Sequence, residues 1–102
     1  MLTTKRKPAT AGEILIEEFM RPFELTQGAL AEAMGVRRKH VNELCNSRRN
    51  GTAATALILA RVFGNSPEFW LNVQRRGDLW EAMHSPRERE RIERAKRLTP
   101  AA

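Results

Sequence analysis

Residues 27–46 read QGALAEAMGVRRKHVNELCN, and this stretch decides the fold. Leu30 and Met34 are apolar and one helical turn apart, Ala31 is small, Gly35 and Val36 follow, and Val41 and Leu44 resume the apolar spacing. Two helices that cross at a steep angle need a small side chain where they touch, and Ala31 supplies it. The tight turn between them needs a residue that tolerates positive φ, and Gly35 supplies that. Leu30, Met34, Val41 and Leu44 then tie both helices to a core.

The second helix is expected to start near Arg37 and end near Asn46. Helical periodicity puts Val41 and Leu44 on its buried face. Lys39, Asn42, Glu43 and Asn46 project the other way, with Arg38 on the flank of the first turn. Arg37, Arg38 and Lys39 crowd the N-terminus, where free backbone N–H groups already favour an anion. For the helix alone this is unfavourable, because cations oppose the dipole and Arg37 is not a capping residue. Local stability is conceded for a binding surface. The twenty positions together resemble the helix-turn-helix of the phage-repressor and Cro type, in which the N-terminus of the second helix enters the major groove.

The charge distribution agrees. The 102 residues carry a formal net charge of +6 and a pI near 10.7, so an anionic partner is expected. Residues 8–35 hold five acids (Glu13, Glu17, Glu18, Glu24, Glu32) against Arg21, whereas residues 36–50 hold five bases (Arg37, Arg38, Lys39, Arg48, Arg49) against Glu43. The single cysteine, Cys45, can form no internal disulfide, which fits a reducing cytoplasm. No apolar run approaches a membrane span, and Met1–Pro8 is basic without a following apolar region, so neither membrane nor signal peptide is expected.

An enzyme is not expected. His40 and His84 are far apart with no zinc-ligand spacing, no Gly-rich phosphate loop is present, and the adjacent Glu17 and Glu18 diverge around a helix. No metal, cofactor or small-molecule substrate is implied. Phe69, Trp70 and Trp80 suit a core or dimer interface better than a base-stacking platform for RNA.

The whole chain reads as helices, and the expected fold is all-α: a five-helix domain over 10–84, a basic tail over 1–9 and a charged helix or tail over 85–102. Thr10 with Glu13 forms a capping box for a first helix that Pro22 closes near Arg21. Thr26 and Thr52 open the second and fourth helices, and Gly64 follows the fourth. Ser66–Pro67–Glu68 opens a fifth helix that Gly77 is expected to end, with Asp78 capping one more short turn. Ser85–Pro86–Arg87–Glu88 is a further capping box, followed by a run with too little apolar surface to bury, expected to be a frayed helix or tail.

Five segments carry a closer resemblance: GEILIEEFM, LTQGALAEAMGVRRKHVNEL, NSRR, TALILARVFGNSPEFWLNVQ and DLW. In order and spacing they are similar, over roughly residues 12–80, to the HigA family of antitoxins, and Phe63–Gln74 separates this family from generic phage-type repressors. The chain departs from the family pattern at Thr10–Ala11 (commonly His-Pro), Arg37 (Ser), Ser47 (Gly) and Ala54 (Asp). The resemblance implies a protein that neutralises a HigB toxin, a RelE-like mRNA endonuclease, and represses its own operon as a dimer on operator DNA. By motif position, Arg38, Lys39 and Glu43 fall where bases are read, and Asn42, which projects with them, is expected to read bases too. Gln27, Arg37, His40 and Asn46 fall where phosphates are held, with Arg48 and Arg49 reaching the backbone or a minor groove. Arg and Lys suit guanine, and Glu suits cytosine N4. Phe69, Trp70, Leu71 and Val73 are the expected dimer interface, since their apolar groups occupy more than one helix face. Glu13, Glu17 and Glu18 are the expected toxin-facing surface, being acidic and off the DNA face. A stand-alone repressor without a toxin is the alternative, and an interaction module that lost DNA binding would have no use for the two basic clusters.

Overall fold

The computed structural model describes residues 6–48 and 51–101, and their regular structure is entirely helical. The first helix begins as α1 (Ala11–Ile14) and continues as a π-helical segment, Leu15–Met20. There follow α2 (Gln27–Met34), α3 (Arg38–Cys45), α4 (Ala53–Phe63), α5 (Pro67–His84) and α6 (Pro86–Arg94).

The starts follow the capping residues. Thr10, Thr26, Thr52, Ser66 and Ser85 each accept a hydrogen bond from the backbone N–H three residues on, at 3.0–3.4 Å. Glu13 reaches back to the Thr10 N–H, completing the capping box. Arg37, ahead of α3, makes no such bond. Two ends rest on glycines in the left-handed region, Gly35 and Gly64, both at φ 71°.

The core joins the π segment, α2, α3, α4 and α5. Leu15, Leu30 and Val41 are fully enclosed, and Leu44, Leu59 and Trp70 close the centre around them. The π segment has a packing consequence. Leu15 and Met20 are five residues apart and both buried; an α-helix would set them about 140° apart, whereas the wider π turn brings both inward. α1 lies so close to the end of α3 that a Cβ on Gly12 would sit 2.5 Å from the carbonyl oxygens of both Leu44 and Cys45.

Two expectations are corrected. The first helix is not α-helical throughout. The fifth does not end at Gly77 but runs unbroken to His84, with Gln74 Nε2 donating to Asp78 Oδ1 at 3.2 Å across the glycine. Asp78 therefore caps nothing. An interior glycine costs only about 1 kcal/mol, too little to stop a helix with contacts on both sides. The charged segment after Ser85 is helical over Pro86–Arg94 although it buries nothing, helped by exposed pairs such as Arg91–Glu88 (3.2 Å) and Arg94–Glu90 (3.4 Å). Residues 95–101 have no regular structure.

Candidate nucleic-acid interface

Helix α3 presents two faces. Val41, Leu44 and Cys45 are buried, while Arg38, Lys39, Asn42 and Asn46 are exposed, as is Arg37 just ahead of the helix. Among the described residues no ion pair or side-chain hydrogen bond ties down Arg37, Arg38 or Lys39, so three cations stand at a helix N-terminus whose N–H groups have no side-chain cap. Glu43 is half-buried on the same helix. Arg48 is exposed just after it, and Arg49 lies outside the described residues.

A line of amides crosses from α3 to α2. Asn46 Nδ2 donates to Asn42 Oδ1 at 3.2 Å, and Asn42 Nδ2 donates to Gln27 Oε1 at 3.2 Å. Sequence reasoning gives Gln27 and Asn42 separate roles and no sign of this bond, because it spans two helices and depends on their crossing. With its oxygen and one N–H engaged, Asn42 is oriented rather than free, while the Gln27 amide N–H groups remain available at the start of α2. His40 is half-buried and its Nε2 is enclosed without a partner, so that nitrogen cannot reach a phosphate.

The other predicted sites are distributed elsewhere. Glu13, Glu17 and Glu18 are exposed on the first helix, with Glu13 holding the capping box and Glu17 paired to Arg21 at 2.8 Å. The set on α5 does not form one surface. Trp70 and Val73 are only 4% and 5% exposed within this chain's own core, and the Trp70 indole N–H donates to Asn65 Oδ1 at 3.0 Å. Leu71 is half-buried, leaving Phe69 as the exposed member.

Sequence reasoning misses an aromatic cluster that Phe69 joins. Phe19 packs on Phe63 and on Trp70 with ring centroids 4.9 Å apart in each pair, and Phe23 lies 5.7 Å from Phe63. The four phenylalanines fall at no single helical period, so only the tertiary fold brings them together. Cys45 is buried, and burial pushes its thiol pKa up, away from thiolate reactivity. A cavity of about 270 Å³ lies between α1, α4 and α5, with the Lys7–Glu81 ion pair (2.7 Å) among its lining. Among the described residues, no group of three or more His, Cys, Asp or Glu could hold a metal ion, and no helix is long and apolar enough to cross a membrane.

A small-residue crossing, a glycine turn and a second helix with cations at its exposed N-terminus define a helix-turn-helix domain. Residues 16–70 match the Helix-turn-helix family model. The antitoxin HigA-1 of Vibrio cholerae is 51% identical over 81 residues, covering 79% of this chain and 76% of that protein. Among solved structures, antitoxin GraA in complex with its operator superposes with a TM-score of 0.83 at 35% identity, covering 98% of this chain and 100% of that one. The Pseudomonas aeruginosa antitoxin HigA with the higBA promoter gives 0.80 at 32% identity, covering 90% and 99%. The chain belongs to the HigA family of helix-turn-helix antitoxins.

Proposed function

We propose that this chain is the antitoxin of a type II toxin–antitoxin pair. It binds and neutralises a RelE-like HigB mRNA-endonuclease toxin, and as a dimer it represses its own operon through α3. The observation that carries the DNA half is the uncapped start of α3 with Arg37, Arg38 and Lys39 exposed beside it. A nearby Thr or Ser cap serves every other α-helix among the described residues, so the exception marks the helix whose N-terminal groups are kept for a ligand. Arg38, Lys39 and Glu43 read bases; Gln27, Arg37, Asn46 and Arg48 hold the backbone, with Asn42 aligning Gln27. Two of the solved relatives are in complex with promoter or operator DNA.

Dimerisation follows from the economy of readout. One recognition helix covers few base pairs, and two-fold dimers on a palindrome supply the rest. The toxin half rests on the family and on the separation of charge: acids on the first helix, bases on α3. The protein has no catalytic role and works in the cytoplasm. The test is co-purification with the product of the neighbouring gene, followed by a mobility-shift assay on the operon promoter. Capture of a RelE-like protein together with a promoter-specific shift is expected. A shift without a captured toxin would leave a stand-alone repressor, and no shift at moderate salt would overturn the assignment of α3.

A further inference from the structure

The aromatic cluster breaks the surface. Phe23 is 61% exposed and Phe69 37%, although both rings are packed against neighbours, Phe23 on Phe63 and Phe69 edge-on to Phe19 at 5.8 Å. Single exposed phenylalanines are ordinary, but a contiguous set marks a contact surface. The turn that carries Phe23 is held by three backbone bonds: Phe23 N–H to Phe19 O at 3.2 Å, Glu24 N–H to Arg21 O at 3.0 Å, and Leu25 N–H to Met20 O at 2.8 Å. Phe23 is therefore presented in one place, so docking on it loses little entropy.

The charged chain neighbours of the rings bear on the kind of partner. Three of the rings have an exposed carboxylate as chain neighbour: Glu18 beside Phe19, Glu24 beside Phe23 and Glu68 beside Phe69. The cation of this stretch, Arg21, is paired with Glu17 at 2.8 Å. Arg61 stands two residues from Phe63 on α4, a spacing that turns it away from that ring. An apolar centre with an acidic rim repels nucleic acid. It also disfavours a second copy of itself, because a two-fold contact would bring the same carboxylates together. A basic protein satisfies both parts.

We propose that Phe23, Phe63 and Phe69, rimmed by Glu18, Glu24 and Glu68, form the docking surface for the toxin, a protein whose RNA-handling surface is basic. This rests on the antitoxin reading above. It moves the contact from the Glu13–Glu17 flank to the far end of the first helix, where Glu18 is shared. No residue of α3 takes part in the cluster, so toxin and operator engage different elements.

The test uses the full chain and its cognate toxin, with binding measured by calorimetry and kinetics. Phe23→Arg places a cation at the centre of the patch and should weaken toxin binding roughly 30-fold or more, as loss of a central aromatic anchor does. A Glu18→Lys/Glu68→Lys variant, changed at exposed positions only, should slow association about tenfold with a reduced salt dependence. Both should keep their helical circular dichroism and their operator affinity. If Phe23→Arg does not fold, the double-Lys variant decides alone. Toxin affinity within about threefold of the original chain in a folded variant would overturn the proposal. A folded Phe23→Arg chain that falls from dimer to monomer by light scattering would overturn it in favour of self-association. An original chain that shifts its promoter but binds no toxin would fail the antitoxin reading itself, and that result is read before any variant is made.

Discussion

Helices α2 and α3 are equally long, eight residues each, and are made in opposite ways. α2 has both of its ends supported locally. Thr26 caps its start by accepting from the Ala29 N–H at 3.0 Å, and Gly35 ends it at φ 71°, with the Val36 N–H returning to Ala31 O at 3.0 Å. α3 has the same design with both terminal residues wrong for it. Arg37 gives no cap, three cations oppose the dipole, and the left-handed position after the helix is held by Ser47 at φ 57°. The missing cap and the unfavourable dipole each cost about 1 kcal/mol or less. A non-glycine residue in the left-handed region adds a similar amount. Burial of Val41 and Leu44, worth about 1.5–3 kcal/mol each, exceeds that sum. Both helices are too short to stand without packing, but the ends of α2 are locally supported whereas those of α3 are not, which leaves the exposed face and ends of α3 for the DNA contact proposed above.

The largest expected effect separates binding from folding on α3. Replacing Arg38 and Lys39 together by Ala should weaken operator binding by roughly 2–6 kcal/mol, taking about 1–3 for each base-reading contact. The melting temperature should stay level or rise slightly, because two charges opposing the dipole are gone. Shift assays and thermal melts on one preparation check both. A variant that melts well below the parent would mean these cations support the fold, and the contrast with α2 would be lost.

If α3 depends on packing, crowding its seat should destabilise the domain. Gly12→Ala puts a methyl group 2.5 Å from the Leu44 and Cys45 carbonyl oxygens, both backbone atoms that cannot swing away. Overpacking of this kind should lower stability by about 2–3 kcal/mol in urea unfolding. Gly28→Ala on α2, whose nearest outside atom would be 4.0 Å away, should be neutral or stabilising. Equal losses at the two glycines would show that α3 is no more dependent on its neighbours than α2.

That asymmetry also explains which features are legible in the sequence. Capping is written in a few adjacent residues, so Thr10, Thr26, Thr52, Ser66 and Ser85 mark five helix starts by residue type and spacing alone. The cationic face of α3 is a matter of helical periodicity, and it too is legible. Gly12 is not, because its constraint comes from carbonyls more than thirty positions away. Nor is the Gln27–Asn42 bond, fifteen positions apart, or the π turn that brings Leu15 and Met20 onto one side. Gly77 misleads for the opposite reason: a local rule is applied where tertiary contacts outweigh it. Trp70 and Val73 read as interface residues because a run of apolar side chains does not reveal which face the core will take.

Restoring the missing cap should trade one property for the other. Arg37→Ser supplies an acceptor for the free N–H groups of the first turn of α3 and removes one opposing charge, so stability should rise by about 1 kcal/mol. The phosphate contact assigned to Arg37 is lost at the same time, and operator affinity should fall with a shallower salt dependence. Opposite signs in the denaturation midpoint and the shift assay would sharpen the account of α3. A gain in both would show that Arg37 serves neither.

The smallest effect lies at the other end of the same helix. The Ser47 N–H bonds to Leu44 O at 3.2 Å and the Arg48 N–H to Glu43 O at 2.8 Å, the same pair of bonds that closes α2 through Gly35. The geometry is shared and only the side chain differs. Ser47→Gly removes a Cβ from the left-handed region but also loosens the unfolded chain, so the net gain should be roughly 0.5–1 kcal/mol. Glu24, at φ 52° after the π segment, is the internal control, because the same substitution there should give a similar gain. Denaturant midpoints of the two variants are the measurement. A gain at Glu24 without one at Ser47 would mean that the serine hydroxyl stabilises the loop into residue 48 by means the backbone geometry does not account for. The end of α3 would then be adapted for stability after all, leaving only its N-terminus as the part given over to binding.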